Sequence, residues 1–198
     1  MDVLSDTLSF WRAWLRAPLS VGAVVPSGPS LTRLMTAHIN HRHGPVIELG
    51  PGTGVFTRAL LASGLPMHRL ALVEADPMFA DALLQRYPDA RVLRMDAARL
   101  GETVSLFGDE RASAVISGLP LLSMPAEQVS AIIRGVFEKQ LHHDGAFYQF
   151  TYGTRCPLPR GLLEHLDLEA ERIGSVLFNL PPATVYRIAR RRHNRVAA

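Results

Sequence analysis

The sequence predicts an α/β fold, a mostly parallel sheet with helices on its faces. Three observations predict it. Strand-like apolar runs alternate with helical periodicities from residue 45 toward the C-terminus. The first run leads into glycines on alternate positions, Val46-Ile-Glu-Leu-Gly-Pro-Gly-Thr-Gly54. Three successive runs also finish at an acid: Glu48, Glu74 and Asp96. The chain has 198 residues, 47% hydrophobic and 20% charged, which is enough for one α/β domain with a full core.

The first element is a helix. Leu4, Leu8, Trp11 and Leu15 follow helical spacing, and Phe10 and Trp14 widen the stripe to roughly 160° of arc. Ser5, Asp6, Ser9, Arg12 and Arg16 occupy the other side, and Pro18 ends the helix. Two readings compete. The helix packs its apolar face on the domain, or it lies in a membrane interface with tryptophans at headgroup depth and arginines on phosphates. The concentration of aromatics beside Arg12 and Arg16 favours the interface. The small residues and prolines of Val21–Ser30 then suit a lid over a site's mouth. Residues 1–30 are thus read as membrane-binding helix and lid, and 31–198 as the catalytic domain, which opens with a helix over Leu31–Asn40.

Pro45–Leu49 reads as a buried strand and Val55, Ala59 and Leu60 as the start of a helix. Between them, glycines let a ligand approach backbone closely. The order is G-x-G-x-G, where a dinucleotide fingerprint would be G-x-G-x-x-G. Glu48 would repel a pyrophosphate there but suits a cation. S-adenosylmethionine, with its amino group and sulfonium, is the expected cofactor. Glu48 and the backbone of Gly50, Gly52 and Gly54 are expected to hold its methionine part. Arg69–Glu74 is a second strand. Glu74, followed by Ala75, falls about 20 residues past the glycines, where related folds bind ribose hydroxyls. Asp76-Pro77 reads as a helix cap and first turn.

A third strand, Ala90–Met95, ends at Asp96-Ala97. A helical piece, Arg99–Phe107, precedes a strand over Ala112–Ser117. Ser117 and Gly118 at its end are expected to approach the cofactor. Ala126–Gln140 carries Val129, Ile132, Ile133, Val136 and Phe137 at helical spacing. Ala146–Tyr152 is a strand, Cys156–Arg160 a loop, and Leu168–Phe178 and Thr184–Arg190 are two further strands.

The single cysteine, Cys156, allows no intramolecular disulfide and fits a reducing cytoplasm. No run of 18 apolar residues predicts a membrane span. Asp2 and Asp6 stand where a secretory signal would be basic. Net charge is +3, with Arg187, Arg190, Arg191, Arg192 and Arg195 crowded near the end. Such a cluster suits a polyanion or a solvated last strand. The spacings of His41, His43, His142 and His143 indicate no metal site.

Val21-Gly-Ala-Val-Val-Pro-Ser27, Glu48–Gly54 and Ser117-Gly-Leu-Pro-Leu-Leu-Ser-Met-Pro125 together resemble the bacterial phospholipid N-methyltransferases. The resemblance covers nearly the whole chain. It implies a Rossmann-like, seven-stranded sheet closed by an antiparallel C-terminal hairpin. It also implies stepwise methylation of phosphatidylethanolamine toward phosphatidylcholine by S-adenosylmethionine, at the inner face of the cytoplasmic membrane. In this family the acid at Asp96, beside Ala97, accepts a hydrogen bond from the adenine amino group. The ribosomal RNA adenine dimethyltransferases are the nearest competitor. Their fourth strand ends in Asn-Leu-Pro-Tyr, whereas this chain has Gly118, Leu119, Pro120 and Leu121. The amide and the stacking ring are missing from those positions, so nucleic acid is the less favoured partner.

A methylated amine ends as a permanent cation, for which aromatic faces are a natural lining. Tyr148, Phe150 and Tyr152 share one face of their strand, either as core or, with Tyr152 foremost, as substrate contacts. His38, Arg160 and Arg187 are weaker candidates for proton transfer or for the lipid phosphate.

Overall fold

The computed structural model of the protein describes residues 28–177 and 181–192. The amphipathic stripe with Trp11, Arg12, Trp14 and Arg16, and the Val21–Ser27 match, lie outside the described residues. The first described helix, α1, spans Pro29–Thr36 and buries Leu31 and Met35.

Parallel strands β1 (Val46–Leu49), β2 (Leu70–Glu74), β3 (Arg91–Arg94), β4 (Ala112–Ser117) and β5 (Leu141–Tyr152) form most of the sheet. β6 (Leu168–Val176) and β7 (Ala183–Arg190) complete it, with β7 antiparallel to both neighbours. The seven-stranded order is β3-β2-β1-β4-β5-β7-β6. The expected sheet and its closing hairpin are therefore present. The order reverses between β1 and β4, and in open parallel sheets this is where a crevice opens at the carboxyl edge.

Alternation along each strand divides the core in two. Leu31, Met35, Val46, Phe56, Leu60, Leu72, Leu83 and Ile116 fill one face. They come from α1, α2 (Val55–Ala62), α3 (Pro77–Arg86) and the strands beneath. Ile47, Leu49, Val73, Val115, Ile132, Ile133 and Phe147 fill the other, under α4 (Ala126–Arg134) and α5 (Arg160–His165). Strands buried on both faces read as unbroken apolar runs, which is why β1, β2 and β4 stand out in the sequence.

Four elements differ from expectation. The piece after Asp96 is a short 3₁₀ turn, Ala97–Glu102. Beyond it the chain is held by Gln140, which accepts from the Leu106 amide at 3.0 Å and donates to the Val104 carbonyl at 3.2 Å. The long helix after Pro125 is α-helical only to Arg134 and then widens into a π turn, Gly135–Gln140. β5 begins at Leu141, five residues early. Its exposed His142, His143 and Asp144 disguised it, and Arg190 ties it down through the carbonyls of His142 and His143. The helix α5 follows the Cys156–Pro159 loop where no helix was expected, being only 6 residues long.

At the π turn, Gly135 meets the 3₁₀ turn backbone to backbone. A Cβ on Gly135 would lie 2.6 Å from the Gly101 nitrogen. Replacing a helical glycine by alanine ordinarily stabilises by up to about 1 kcal/mol. Here Gly135→Ala should instead destabilise by roughly 1–3 kcal/mol, because the contact is with backbone that cannot swing aside. Urea unfolding of the two proteins gives the sign directly.

Candidate active site

The turn leading from β1 to the crevice carries three left-handed glycines, of which Gly50 lines the cleft. Gly50, Gly52 and Gly54 have φ of 63°, 52° and 75°, a region that costs other residues strain. Across the switch point, the Gly118 amide donates to the Leu49 carbonyl at 2.8 Å. A Cβ on Gly118 would lie 2.8 Å from the Gly50 carbonyl oxygen. The exits of β1 and β4 thus touch, and the crevice begins where they part.

Glu74 fastens the glycine turn to β2. Its Oε2 accepts from the Gly52 amide at 3.0 Å and its Oε1 from the Asp76 amide at 2.9 Å. Each oxygen keeps a further lone pair, and the residue lines the cleft. Asp76 caps α3 by accepting from the Met78 amide at 2.9 Å, as its sequence position indicates. Asp96 Oδ1 caps the 3₁₀ turn at Ala98, and Oδ2 accepts from Gln128 at 3.0 Å. Ala75, Ala97, Gly50 and Gly118 line the same cleft. Phe79 of α3, Met95 and Gln128 of α4 also line it, and no sequence motif marks them. Carboxylates from two strand ends with an apolar slot between them suit a ribose and a purine. The cradle left by missing Cβ atoms suits the remaining chain of S-adenosylmethionine.

Glu48 sits elsewhere. Alternation turns positions 46 and 48 toward α2, and Glu48 is fully enclosed there. Its Oε2 accepts from the Thr57 hydroxyl at 2.6 Å, while Oε1 has no partner among the described residues. It holds the first turn of α2 behind the glycines and does not line the cleft. Burial pushes its pKa from 4.5 up to about 7, against the lowering effect of Thr57. Ser117 is also buried without lining the cleft, and its hydroxyl accepts from the Leu119 amide at 3.2 Å. Gly54 serves as the N-cap of α2.

A second cavity, of about 230 Å³, opens on the other side of Gly118-Leu119-Pro120. Gln149, Phe150, Thr151, Tyr152, Leu122 and Pro157 line it, and among the described residues no charged side chain does. Phe150 and Tyr152 meet edge to face, with centroids 5.5 Å apart. Burial raises the Tyr152 pKa to about 12, so its phenol stays protonated at neutral pH. A third, adjoining cavity shares Leu121, Leu122 and Pro157 and adds Arg155, Cys156 and Leu158.

The remaining candidates are not brought to these cavities. Tyr148 is 4% exposed, and its hydroxyl donates to the His38 carbonyl at 3.2 Å under α1. Its alternation matches Tyr152, but α1 covers it. His38 itself is exposed beyond the end of α1. Arg187 is in register with Tyr148 and lies 4.0 Å from Glu171. It lines a separate hollow with His143 and Arg190, away from the crevice. The Arg160 side chain is 92% exposed and paired with Glu164 at 2.9 Å. Among the described residues no three His, Cys, Asp or Glu side chains gather into a metal-ligand set, and no helix is long and apolar enough to cross a membrane.

Sheet order, switch-point crevice and paired cavities define a class I S-adenosylmethionine-dependent methyltransferase. Magnesium protoporphyrin IX methyltransferase from Synechocystis, solved with bound S-adenosylmethionine, has this fold. It is 14% identical with a TM-score of 0.62, covering 96% of this chain and 98% of that one. The ornithine lipid N-methyltransferase of Singulisphaera acidiphila is 30% identical over 152 residues, 75% of this chain and 79% of its own length. The chain belongs to the family of that protein. A shorter match, 43% over 58 residues, joins 28% of the chain to 21% of ribosomal RNA small subunit methyltransferase A from Parabacteroides distasonis. No protein-family model matches the chain.

Glu48 makes stability depend on pH. Its folded pKa lies above its ordinary value, so its contribution is full below about pH 4.5 and is lost as pH rises through about 7. The loss is on the order of 3 kcal/mol. Glu48→Gln should flatten the fall in Tm between pH 5 and pH 8 and be the more stable protein at pH 8. Parallel slopes in a thermal-shift series would refute this. Glu74→Ala removes the acceptor for two backbone amides and one of the carboxylates that line the cleft. It should weaken S-adenosylhomocysteine binding by about a hundredfold, given roughly 1.5–3 kcal/mol per hydrogen bond to a charged group. Titration calorimetry measures it.

Proposed function

We propose that the protein methylates the amine of a membrane aminolipid, phosphatidylethanolamine and its mono- and dimethyl forms, toward phosphatidylcholine. The observation that carries this reading is the pair of cavities meeting at Gly118–Pro120. One is walled by carboxylates and the other is uncharged and aromatic. Family membership supports an aminolipid as acceptor. So does the third cavity, whose leucines and prolines suit acyl chain while Arg155 suits the headgroup anion. Leu122, 46% exposed, stands on the rim.

S-adenosylmethionine, when bound, supplies a sulfonium methyl ready for in-line displacement. The protein's part is to position and to exclude water. Glu74 and Asp96 anchor the adenosyl half, and the glycine backbones let the methionine half lie close. Gly118-Leu119-Pro120 forms the wall past which amine and methyl meet. Tyr152, neutral at working pH, offers a ring face to the growing cation and does not serve as a base.

The amphipathic stripe fits attachment to the inner face of the cytoplasmic membrane. α1 runs toward the carboxyl edge at its N-terminal end. Its Leu34 abuts Gly174, level with Phe150, while the His38 carbonyl is level with Tyr148. Gly28 at the start of α1 therefore lies on the side where the cavities open.

The named relative makes ornithine lipid, which also pairs an amine with an anion, a direct competitor. The short match to a ribosomal RNA enzyme keeps adenine as a remoter one. Purified enzyme with labelled S-adenosylmethionine and vesicles should yield mono-, di- and trimethylated phosphatidylethanolamine. Label only in ornithine lipid moves the acceptor within the class, and label only in RNA overturns it. Trp11→Ala with Trp14→Ala in the full chain should lower recovery on anionic vesicles at least severalfold and leave S-adenosylhomocysteine binding intact.

A further inference from the structure

Gln149 is 1% exposed and lines the acceptor cavity, in register with Ser117 across β4 and β5. Its Nε2 donates to the Leu119 carbonyl at 2.9 Å and to the Phe150 carbonyl at 2.8 Å. Both partners are acceptors, so the amide has one orientation: exchanging its nitrogen and oxygen would set oxygen against oxygen. Oε1 is thereby turned away from those carbonyls and has no donor among the described residues. A buried acceptor without a donor is an unfavourable state that a ligand can relieve. Among the described residues the other two such side-chain atoms, on Glu48 and Tyr87, line neither cavity.

We propose that Gln149 Oε1 accepts an N–H from the acceptor amine and so discriminates amines by the hydrogens they carry. This rests on the amine-methylation reading above. In each transfer the ammonium first gives a proton to water at the cavity mouth. The nitrogen lone pair then forms the N–C bond, and the S–C electrons stay on sulfur, leaving a neutral thioether. An amide oxygen takes no proton at neutral pH, so Gln149 only orients. Holding one N–H aims the lone pair of a primary or secondary amine. A neutral tertiary amine has no N–H to hold. Gln149 therefore assists the first and second transfers and contributes nothing to the third.

Gln149→Met, close in size, removes the oxygen and also the two N–H contacts, one to the Leu119 loop and one to Phe150 in β5. A merely structural role for those contacts would slow all three transfers alike. The proposal expects kcat/KM to fall about tenfold or more with phosphatidylethanolamine and its monomethyl form. With the dimethyl form it should be unchanged or higher. Equal losses on all three lipids, or no loss on any, overturn it. Amine binding to the S-adenosylhomocysteine complex gives a second readout that needs no turnover. The native protein should bind dodecylammonium severalfold more tightly than dodecyltrimethylammonium, and Gln149→Met should erase the preference. A native protein without that preference overturns the proposal. If no lipid is methylated, the lipid reading fails while the two amines still decide the role of Gln149.

Discussion

Everything at the carboxyl edge depends on how closely two strand exits can approach. Gly118 donates to Leu49 at 2.8 Å, and no side chain fits between Gly118 and the Gly50 carbonyl. Gly50 is restricted by its left-handed φ of 63°, and a Cβ there would also have to displace a Leu119 methyl 2.7 Å away. This contact closes the sheet at the point where strand order reverses. Because the exits are pinned, the chains beyond them diverge at once, one toward α2 and the other toward Pro120. The cleft and the acceptor cavity are the two spaces left on either side of that divergence, and they share Gly118, Leu119 and Pro120 as a wall. In the proposed reaction a methyl group has to cross only that boundary.

Glu74 sets the second constraint. A left-handed glycine turn exposes amides that need acceptors, and Gly52 finds one in a carboxylate from the next strand. The same carboxylate accepts from Asp76, which itself caps α3. Turn, strand end and helix start are thus locked by one side chain before any ligand arrives. Preorganisation of this kind lowers the ordering cost of binding. Glu48 does comparable work from behind through Thr57, without touching the cleft.

The parts of this arrangement legible in the sequence are those written in consecutive residues. Strand, glycine turn and helix at 46–62 are local, and so are the acid-terminated strands and the Asp76 cap. What the sequence concealed was direction and company. Period-2 alternation groups Glu48 with Val46, but only the packed helices reveal that this face belongs to α2. The same alternation groups Tyr148 with Tyr152, and α1 covers one of them. Phe79, Gln128 and Gln149 reach the cavities from three elements distant in sequence, so no motif contains them. One signal was available: Gln149 is an amide amid Ala146, Phe147, Tyr148 and Phe150, and a polar group in such a strand must have a partner or await one. The π turn and the 3₁₀ turn were hidden because Gly101 and Gly135 act on each other across 34 residues of chain, the separation at which Gln140 also acts on Leu106.

For the proposed reaction, the two cavities differ in a way that gives transfer a direction. The donor carries a cationic sulfonium and leaves as a neutral thioether. The acceptor reacts as a neutral amine and leaves as a cation. Positive charge therefore moves from the cleft of Glu74 and Asp96 into a cavity lined by Phe150 and Tyr152 and, among the described residues, by no carboxylate. Carboxylates favour the charged donor over its spent form, which helps exchange after each turn. Aromatic faces attract a cation without requiring an N–H from it. They hold the quaternary product more weakly than an ion pair would in so dry a setting. An acid in the acceptor cavity would bind every intermediate more tightly as its charge became permanent, and would slow release at the end. The absence of one among the residues lining that cavity is therefore as much a part of the proposed specificity as the carboxylates across the wall.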